Sequence, residues 1–492
     1  MAKKKDTFSY GASAIPSGET KYSVIRWGWN GLNRTDDIDT GQITDCEGIV
    51  VDPPQIYPAA SAKLFLSYDD PQAIFGFGDR LLVVYNTGAN VKIDSVTPTR
   101  QKFTGTVGDS ADFKYRSAVQ FNVAANTENI VEAEFDRKIL LFPDSCSMDF
   151  SPDADFTPAS LGSAYPGLMY AAVYGSRVFG VDDDLVYASS YNDYADWDLD
   201  TADEYSEANA WVSMSQSNAK ADGKFTAVAV YDNHVVLFKS DFMQLVYNNK
   251  NPFRIVDVGS YGCDNAYAVT EADGVLYFAS CETVYAYGGG VPRDIGKSLE
   301  IDSYRGAVLG AYKNRLFLYV QKKLYSYRNG VWSCMGHPGA DIRQFAALDY
   351  GLAALMSDGR IVFVDWSDSM VTDLTGETWA DEFSGEWWFE CDLMALGKLD
   401  IRRVKKFSLL CEAEEGAVVR AYLMRDGEKF EDGGALLVGS LTGSEKKTVI
   451  MRVMTRQLSG YMHRIRIAGR GYVKILAAEL KISWGGDVYA EG

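Results

Sequence analysis

Three consecutive stretches of this chain can be laid over one another: FTAVAVYDNHVVLFKSDFMQLVY from Phe225, NAYAVTEADGVLYFASCETVYAYGGG from Asn265 and GAVLGAYKNRLFLYVQKKLYSYRNG from Gly306. Each reads as apolar strand, polar turn, apolar strand, short polar turn, aromatic strand. The turn residues His234, Gly274 and Arg315 fall 40 and 41 positions apart. A period near 40 built from short antiparallel strands is the spacing of a β-propeller blade, a unit that buries its faces only against its neighbours. Weaker copies flank the three: KLFLSYDDPQAIFGFGDRLLVVYNTGANVKID and GLMYAAVYGSRVFGVDDDLVYASS before them, RQFAALDYGLAALMSDGRIVFVDW after. The repeat predicts an all-β fold with a six- or seven-bladed β-propeller over residues 50–375. The 97 residues from Arg80 to Arg177 leave room for two blades, or for one blade with an insertion around 100–156. Composition agrees: 30 Tyr and 24 Phe supply strand residues and 45 Gly supply turns, against only 13 Pro.

The two ends depart from the repeat. Residues 1–49 are polar, with Gly and Asp turns around RWGWNGLNRTDDIDTGQITD, and read as an N-terminal arm or docking strand. Residues 376–492 carry longer strands such as VKKFSLLCEA, KTVIMRVMTRQ and VKILAAELKISW. The alternation of Met462, Arg464 and Arg466 with His463, Ile465 and Ile467 marks a strand with one wet face. Five to eight such strands predict a C-terminal jelly-roll-like β-sandwich.

The net charge is −19, and from residue 380 onward 17 basic residues balance 17 acidic ones, so the whole excess lies in the first 379. An acidic body argues against gripping phosphate backbones, which Lys and Arg do, but suits a surface past which DNA slides without sticking. Seven scattered cysteines form no C-x-x-C pair, so neither a zinc site nor a disulfide framework is expected. The start MAKKKDTFSYGASA has no apolar run, so no secretory signal is read there, and no stretch approaches the length of a membrane span.

Each candidate for chemistry has an architectural competitor. Asp182, Asp183 and Asp184 form an acidic triplet at what the pattern makes a hairpin tip, where Asp serves turn geometry. Downstream, Asp198, Asp200 and Asp203 are the weak metal candidates, in a loop that lacks the glycine and terminal glutamate of a calcium loop. GGGVPRDIGKSLEID resembles a phosphate loop, but five residues rather than four separate Gly290 from Gly296, and no amphipathic helix follows Ser298. His234, His337 and His463 lie far apart, and H-E-x-x-H and G-x-S-x-G are missing. No catalytic site and no cofactor is therefore expected. A propeller glycosidase, which would need a pair of carboxylates in a central pocket, is the weakest reading.

Several pieces together carry a resemblance. GLNRTDDIDTGQITDCEGIVVD is similar to the opening of certain bacteriophage virion proteins. GSRVFGVDDDLVYASSYNDYADWD resembles their blade signature through Arg177, Phe179, Tyr187, Ser189, Asn192, Asp193 and Trp197, with Phe179 where that family commonly has Trp. KKFSLLCEAEEGAVVRAYLMRDGEKF and MHRIRIAGRGYVKILAAELKISWGG resemble the sandwich that closes such chains. The family is that of the propeller-bearing tail nozzle, tail hub and packaged-DNA stabilisation proteins of phage necks and short tails. The resemblance implies a structural virion protein assembled in the bacterial cytoplasm. It implies copies in a ring, expected to be a hexamer, below the portal and adaptor, with the phage genome DNA passing along the axis. The alternative is a propeller lectin or receptor-binding module for a cell-surface glycan.

Overall fold

The computed structural model describes residues 13–14, 22–35, 39, 41–88, 90–108, 117–123, 136–143, 146–162, 165–199, 206–213, 223–248, 250–367, 385–392, 402–425, 427–443, 447–453, 458–460 and 463–484. Within them, seven four-stranded antiparallel sheets follow one another along the chain and form the blades of a propeller. Blades 1 to 6 take residues 71–108, 117–160, 170–212, 227–259, 269–294 and 308–336. Blade 7 takes three strands from 342–366 and borrows its outermost strand, Lys63–Ser67, from the far end of the chain. From blade 2 round to blade 7 and on to blade 1, the first strand of each blade touches the first strand of the next.

The strand sequences explain this stacking. Second strands such as Arg315–Val320 and Gly351–Met356 are buried along almost their whole length rather than at alternate residues. A sheet sandwiched between two others needs apolar side chains on both faces. The hairpin tips supply the complementary chemistry. Asp232 and Asn233 sit at φ 43° and 63°, and Asp273 and Gly274 at 51° and 69°. Two consecutive positive φ values are what a two-residue hairpin turn with the twist of its strands requires, and Asp, Asn and Gly reach them at least cost. His234, Gly274 and Arg315 each lie at or beside these equivalent turns, so the 40-residue period is the blade period.

Polar clasps tie neighbouring blades together. The hydroxyl of Tyr231, closing the inner strand of blade 4, donates to Gly274 O of blade 5 at 2.8 Å. Tyr312, at the same place in blade 6, donates to Asp349 O of blade 7 at 3.4 Å. At the closure between blades 7 and 1, the Gln344 carboxamide accepts from Ile74 N at 3.1 Å and donates to Ile74 O. Phe65 of the borrowed strand meets Phe363 edge to face at 5.1 Å, adding an apolar lock to the ladder.

The second module is a two-sheet sandwich. One sheet runs Ser13–Ala14, Tyr22–Trp27, Val473–Trp484, Arg402–Ala413, Lys447–Val453, with the hairpin Ile49–Asp52 and Gln55–Pro58 attached through Ile56 opposite Ile475. The other runs Asp45–Glu47, Glu386–Asp392, His463–Arg470, Val418–Arg425, Leu436–Thr442. In Val418–Arg425 buried residues do alternate with exposed ones, because this sheet has one face on the core and one in water.

Three boundaries differ from the sequence reading. The N-terminal segment, read as an arm or docking strand, does dock as strands but as part of the core: residues 22–58 contribute strands to both sandwich sheets and bury Trp27, Trp29, Leu32, Ile43 and Ile49. The propeller begins at Lys63 rather than at residue 50, since the intervening hairpin pairs with the sandwich. Of the two readings of the span around 100–156, a further blade or an insertion, the described residues give the blade: the outer strand of blade 1 and three strands of blade 2 lie there. The long spacing between the strands of blade 2 breaks the repeat distance by which the other blades are recognised.

The two modules share one continuous core. Leu32 N donates to Trp332 O at 2.9 Å, Val51 N to Ser333 Oγ at 2.8 Å, and Arg34 N to Ser298 O at 2.9 Å, all from the N-terminal segment to blade 6 or the connection before it. The Trp332 indole donates to Ile295 O at 2.6 Å. Arg328 pairs with Asp52 at 3.1 Å at the edge of the same contact. All seven cysteines are free, and burial pushes the Cys263 thiol up to about 12 and the Cys334 thiol up to about 11, which suits packing rather than nucleophilic chemistry.

This shared core makes a contrast that chemical denaturation measures. Trp29, fully buried and 4.9 Å from Phe389, should lose about 3–5 kcal/mol as Trp29→Ala. Arg26→Ala, three residues from Trp29 but solvent-exposed and paired with Glu479, should cost under about 1 kcal/mol. Equal costs for the two would show that the N-terminal strands are not part of the core.

Candidate functional site

The stretch that carries the phage-like signature folds as the outer part of blade 3. Arg177 opens the second strand after a turn in which Gly175 and Ser176 both have positive φ, and its side chain is buried. Its guanidinium donates to Ser189 O at 2.5 Å, to Asn209 O at 2.8 Å and to Glu207 O. These partners are carbonyls rather than carboxylates, so burial lowers its pKa, offset in part by Tyr191. The rest of the signature serves the same excursion between the third and fourth strands. Ser189 Oγ accepts from Val178 N at 3.0 Å, and Asn192, at φ 60°, donates its amide to Ser176 O at 2.8 Å. Asp193 caps Ala195 N at 2.8 Å, and the Trp197 indole donates to Tyr194 O at 2.9 Å while meeting Tyr165 edge to face. Phe179 packs edge to face on Phe253, over which the Arg177 guanidinium also lies. The bonds of Arg177, Ser189, Asp193 and Trp197 thus make the signature a clamp on one loop.

The aspartate triplet sits at the tip between the second and third strands of blade 3. Asp183 is at φ 53° and pairs with Lys224 at 3.1 Å. Asp182 and Asp184, after burial, push the Tyr187 hydroxyl pKa up. Asp198 is exposed and donates its amide to Asp196 Oδ1 at 3.0 Å. Asp200 and Asp203 lie outside the described residues. Among the described residues no group of three or more His, Cys, Asp or Glu is placed to hold a metal ion.

The Gly-Lys-Ser segment is a single 3-10 turn, Lys297–Leu299. Its open amides are already occupied: Asp294 Oδ1 accepts from Gly296 N at 3.0 Å and Lys297 N at 3.1 Å, and from Thr283 Oγ1 at 2.6 Å. The chain's own carboxylate therefore stands where a phosphate would have to bind. That plug has a sequence signal, the Asp two residues before the Gly, which the phosphate-loop pattern ignores.

Two surface features remain. A cleft of about 450 Å³ lies between the sandwich and the outer parts of blades 6 and 7, with Leu64 and Trp387 on its apolar side and Glu47, Glu386, His337 and Arg360 among its polar groups. Three of these already have protein partners. Glu47 lies 3.8 Å from Lys323, Arg360 pairs with Asp358 at 2.7 Å, and His337 Nδ1 accepts from Gly339 N at 2.9 Å. The other feature is an aromatic group at the hairpin ends of blades 4 and 5. His234 stands edge-on to the exposed Tyr247 at 4.4 Å, and Tyr231 lies 5.4 Å from Tyr287. His463, the third histidine, is buried in the sandwich. The structure brings none of the three histidines together.

Charge is divided along the module boundary. Residues 59–384, the propeller and its connections, hold 25 basic and 44 acidic residues, a net −19. The sandwich, residues 22–58 with 385–484, holds 19 of each. Adding the N-terminal strands leaves the sandwich neutral.

No protein-family model matches the chain, and no curated protein matches it. Among solved structures it is similar to the extracellular domain assigned to a one-component system of B. thetaiotaomicron, at 11% identity over 67% of this chain and with a TM-score of 0.39. The chain spans 44% of that neighbour. It is also similar to the WD40 domain of Toxoplasma gondii coronin, at 9% identity over 74% of this chain and 92% of that one, with a TM-score of 0.35. A quinonprotein alcohol dehydrogenase-like protein of Bacteroides thetaiotaomicron matches at 10% identity over 60% and 68% of the two chains, again with a TM-score of 0.35. At these values the likeness carries no argument.

The clamp in blade 3 is open to test. Arg177→Met keeps the side-chain volume but strips three backbone carbonyls of their donor, at an expected cost of about 2–3 kcal/mol. Limited proteolysis should then cut between Ser189 and Asn209 while the other blades stay resistant. Unchanged stability and an uncut loop would count against the clamp.

Proposed function

We propose that this chain is a structural, non-enzymatic virion protein of a bacteriophage neck or short tail. In this reading copies form a ring, a hexamer by the resemblance, below the portal and adaptor, where they retain packaged DNA and let it pass on ejection. Assembly takes place in the cytoplasm of the bacterial host. The observation that carries the reading is the charge division, with −19 on the propeller and zero on the sandwich. Double-stranded DNA presents one negative charge per ~1.7 Å of axis, so a wall that must not hold it is served by acidic rather than basic side chains. A neutral module fixed to that wall offers a place for protein contacts. The blade 3 signature supports the same reading, because Arg177, Ser189 and Trp197 turn their hydrogen bonds onto the backbone of one loop, an architectural role.

One observation favours a second reading, a lectin or receptor-binding module. The exposed Tyr247, with His234 edge-on to it and the half-buried Tyr231 nearby, offers aromatic surface on which a sugar ring could stack.

Electron-microscopic class averages of the purified protein and of particles, with DNA binding measured at low salt, separate the two. A ring around an open axis with no DNA retention is expected. A monomer on a distal fibre, or tight low-salt DNA binding, would overturn the ring. Glycan-array binding lost in Tyr247→Ala would put the receptor reading in its place.

A further inference from the structure

Resting on the ring assignment, we propose that the edge strand Leu436–Thr442 of the sandwich is the surface through which a second copy of this chain docks. In the five-stranded sheet, one edge, Asp45–Glu47, lies against the outer strand of blade 6, and Leu436–Thr442 is the opposite edge. It pairs with Val418–Arg425 on one side, and on the other no strand among the described residues joins it. Every second residue therefore turns its backbone N–H and C=O outward, ready to template another strand.

Edge strands in soluble proteins are normally guarded by Lys, by Pro or by a bulge that turns the strand away. LLVGSLT contains neither charge nor proline. It does contain a bulge, since Ala421 faces Gly439 and the next residue, Tyr422, faces Leu437, so Val438 is the extra residue. Beyond it the register is regular, and the adjacent Leu437 and Leu436 point to opposite faces of the strand. Both are nevertheless exposed, at 53% and 46%, so neither face of this end of the edge is covered. Beside this strand runs the edge strand of the other sheet, Lys447–Val453, whose Ile450 is 54% exposed. Three of the eight large hydrophobic side chains exposed among the described residues thus gather on two adjoining edges, at the end of the sandwich away from the propeller.

Charge selects a second copy as the occupant. Two chains that meet through propellers of net −19 repel each other, whereas the sandwich balances 19 basic against 19 acidic residues. The strand itself offers no charge by which to address an acidic or basic stranger, or DNA. In a ring the contact is head-to-tail, so this edge meets a different surface of the next copy rather than its own counterpart, and an apolar, uncharged strand supplies its side of that contact through backbone hydrogen bonds and packed leucines.

The test compares the full-length wild type with Leu436→Lys/Leu437→Lys, with Ser440→Lys on the same exposed edge, and with Leu64→Lys, an equally exposed leucine on blade 7. Molar mass is read by light scattering and secondary structure by circular dichroism. Both edge variants should keep the wild-type spectrum and weaken self-association by about a hundredfold or more, as loss of a central apolar contact does. Leu64→Lys should assemble as the wild type does. If the double variant loses its fold, Ser440→Lys decides. Folded edge variants that still form the wild-type ring would overturn this surface and leave the ring standing. A wild type that stays monomeric at high micromolar concentration would overturn both.

Discussion

The architecture depends on where the first 67 residues go. A propeller is a ring of sheets, and a ring has no loose ends only if its last blade is completed by the first strand. Here Lys63–Ser67 does that, laid against Arg360–Trp366 with Phe65 locked on Phe363. The residues just before it do the same for the sandwich, where Tyr22–Trp27 pairs along Val473–Trp484 and Asp45–Glu47 closes the second sheet. Between these two tasks the chain passes through the junction, burying Trp29 and Leu32 against Trp332 of blade 6. Hydrophobic burial, the dominant favourable term in folding, is therefore spent at one place on both modules at once.

That junction gives the acidic propeller a fixed neutral platform. Since the modules share buried residues, charge and contact surface are held in one rigid relation rather than joined by a linker. Inter-domain contacts within a chain are commonly smaller and wetter, and permit motion. Here the tryptophans at the contact and the backbone hydrogen bonds from Leu32 and Val51 leave little freedom for it.

The fold was legible in the sequence wherever one blade repeats another cleanly. Blades 4, 5 and 6 carry tight turns at matching positions and nearly unbroken apolar second strands, so their period stands out. Blade 2 was not legible, because its strands 117–123 and 136–142 are separated by a long connection and show no turn signal at the repeat distance. The N-terminal strands were missed for a related reason. Asp45–Glu47 and Ile49–Asp52 are three and four residues long, too short to show a period, and nothing local reveals that the partner of Asp45–Glu47 lies more than three hundred residues away. Around the candidate site, residue type pointed to turn and loop chemistry at the aspartates, and the described part agrees. What Arg177 touches was not legible, because its three acceptors are backbone carbonyls, and a carbonyl has no letter in a sequence.

The borrowed strands also set the order in which the molecule can come into being. Synthesis runs from the N-terminus, so Tyr22–Trp27 and Lys63–Ser67 leave the ribosome long before Val473–Trp484 and Arg360–Trp366 exist to receive them. Pairings this distant in sequence form late and slowly, since the loop between the partners must close before contact rewards it. A prematurely terminated chain lacks the partner for at least one of these strands and leaves its ring or its sandwich open. Completion of translation is thus built into the topology as a condition for a closed molecule.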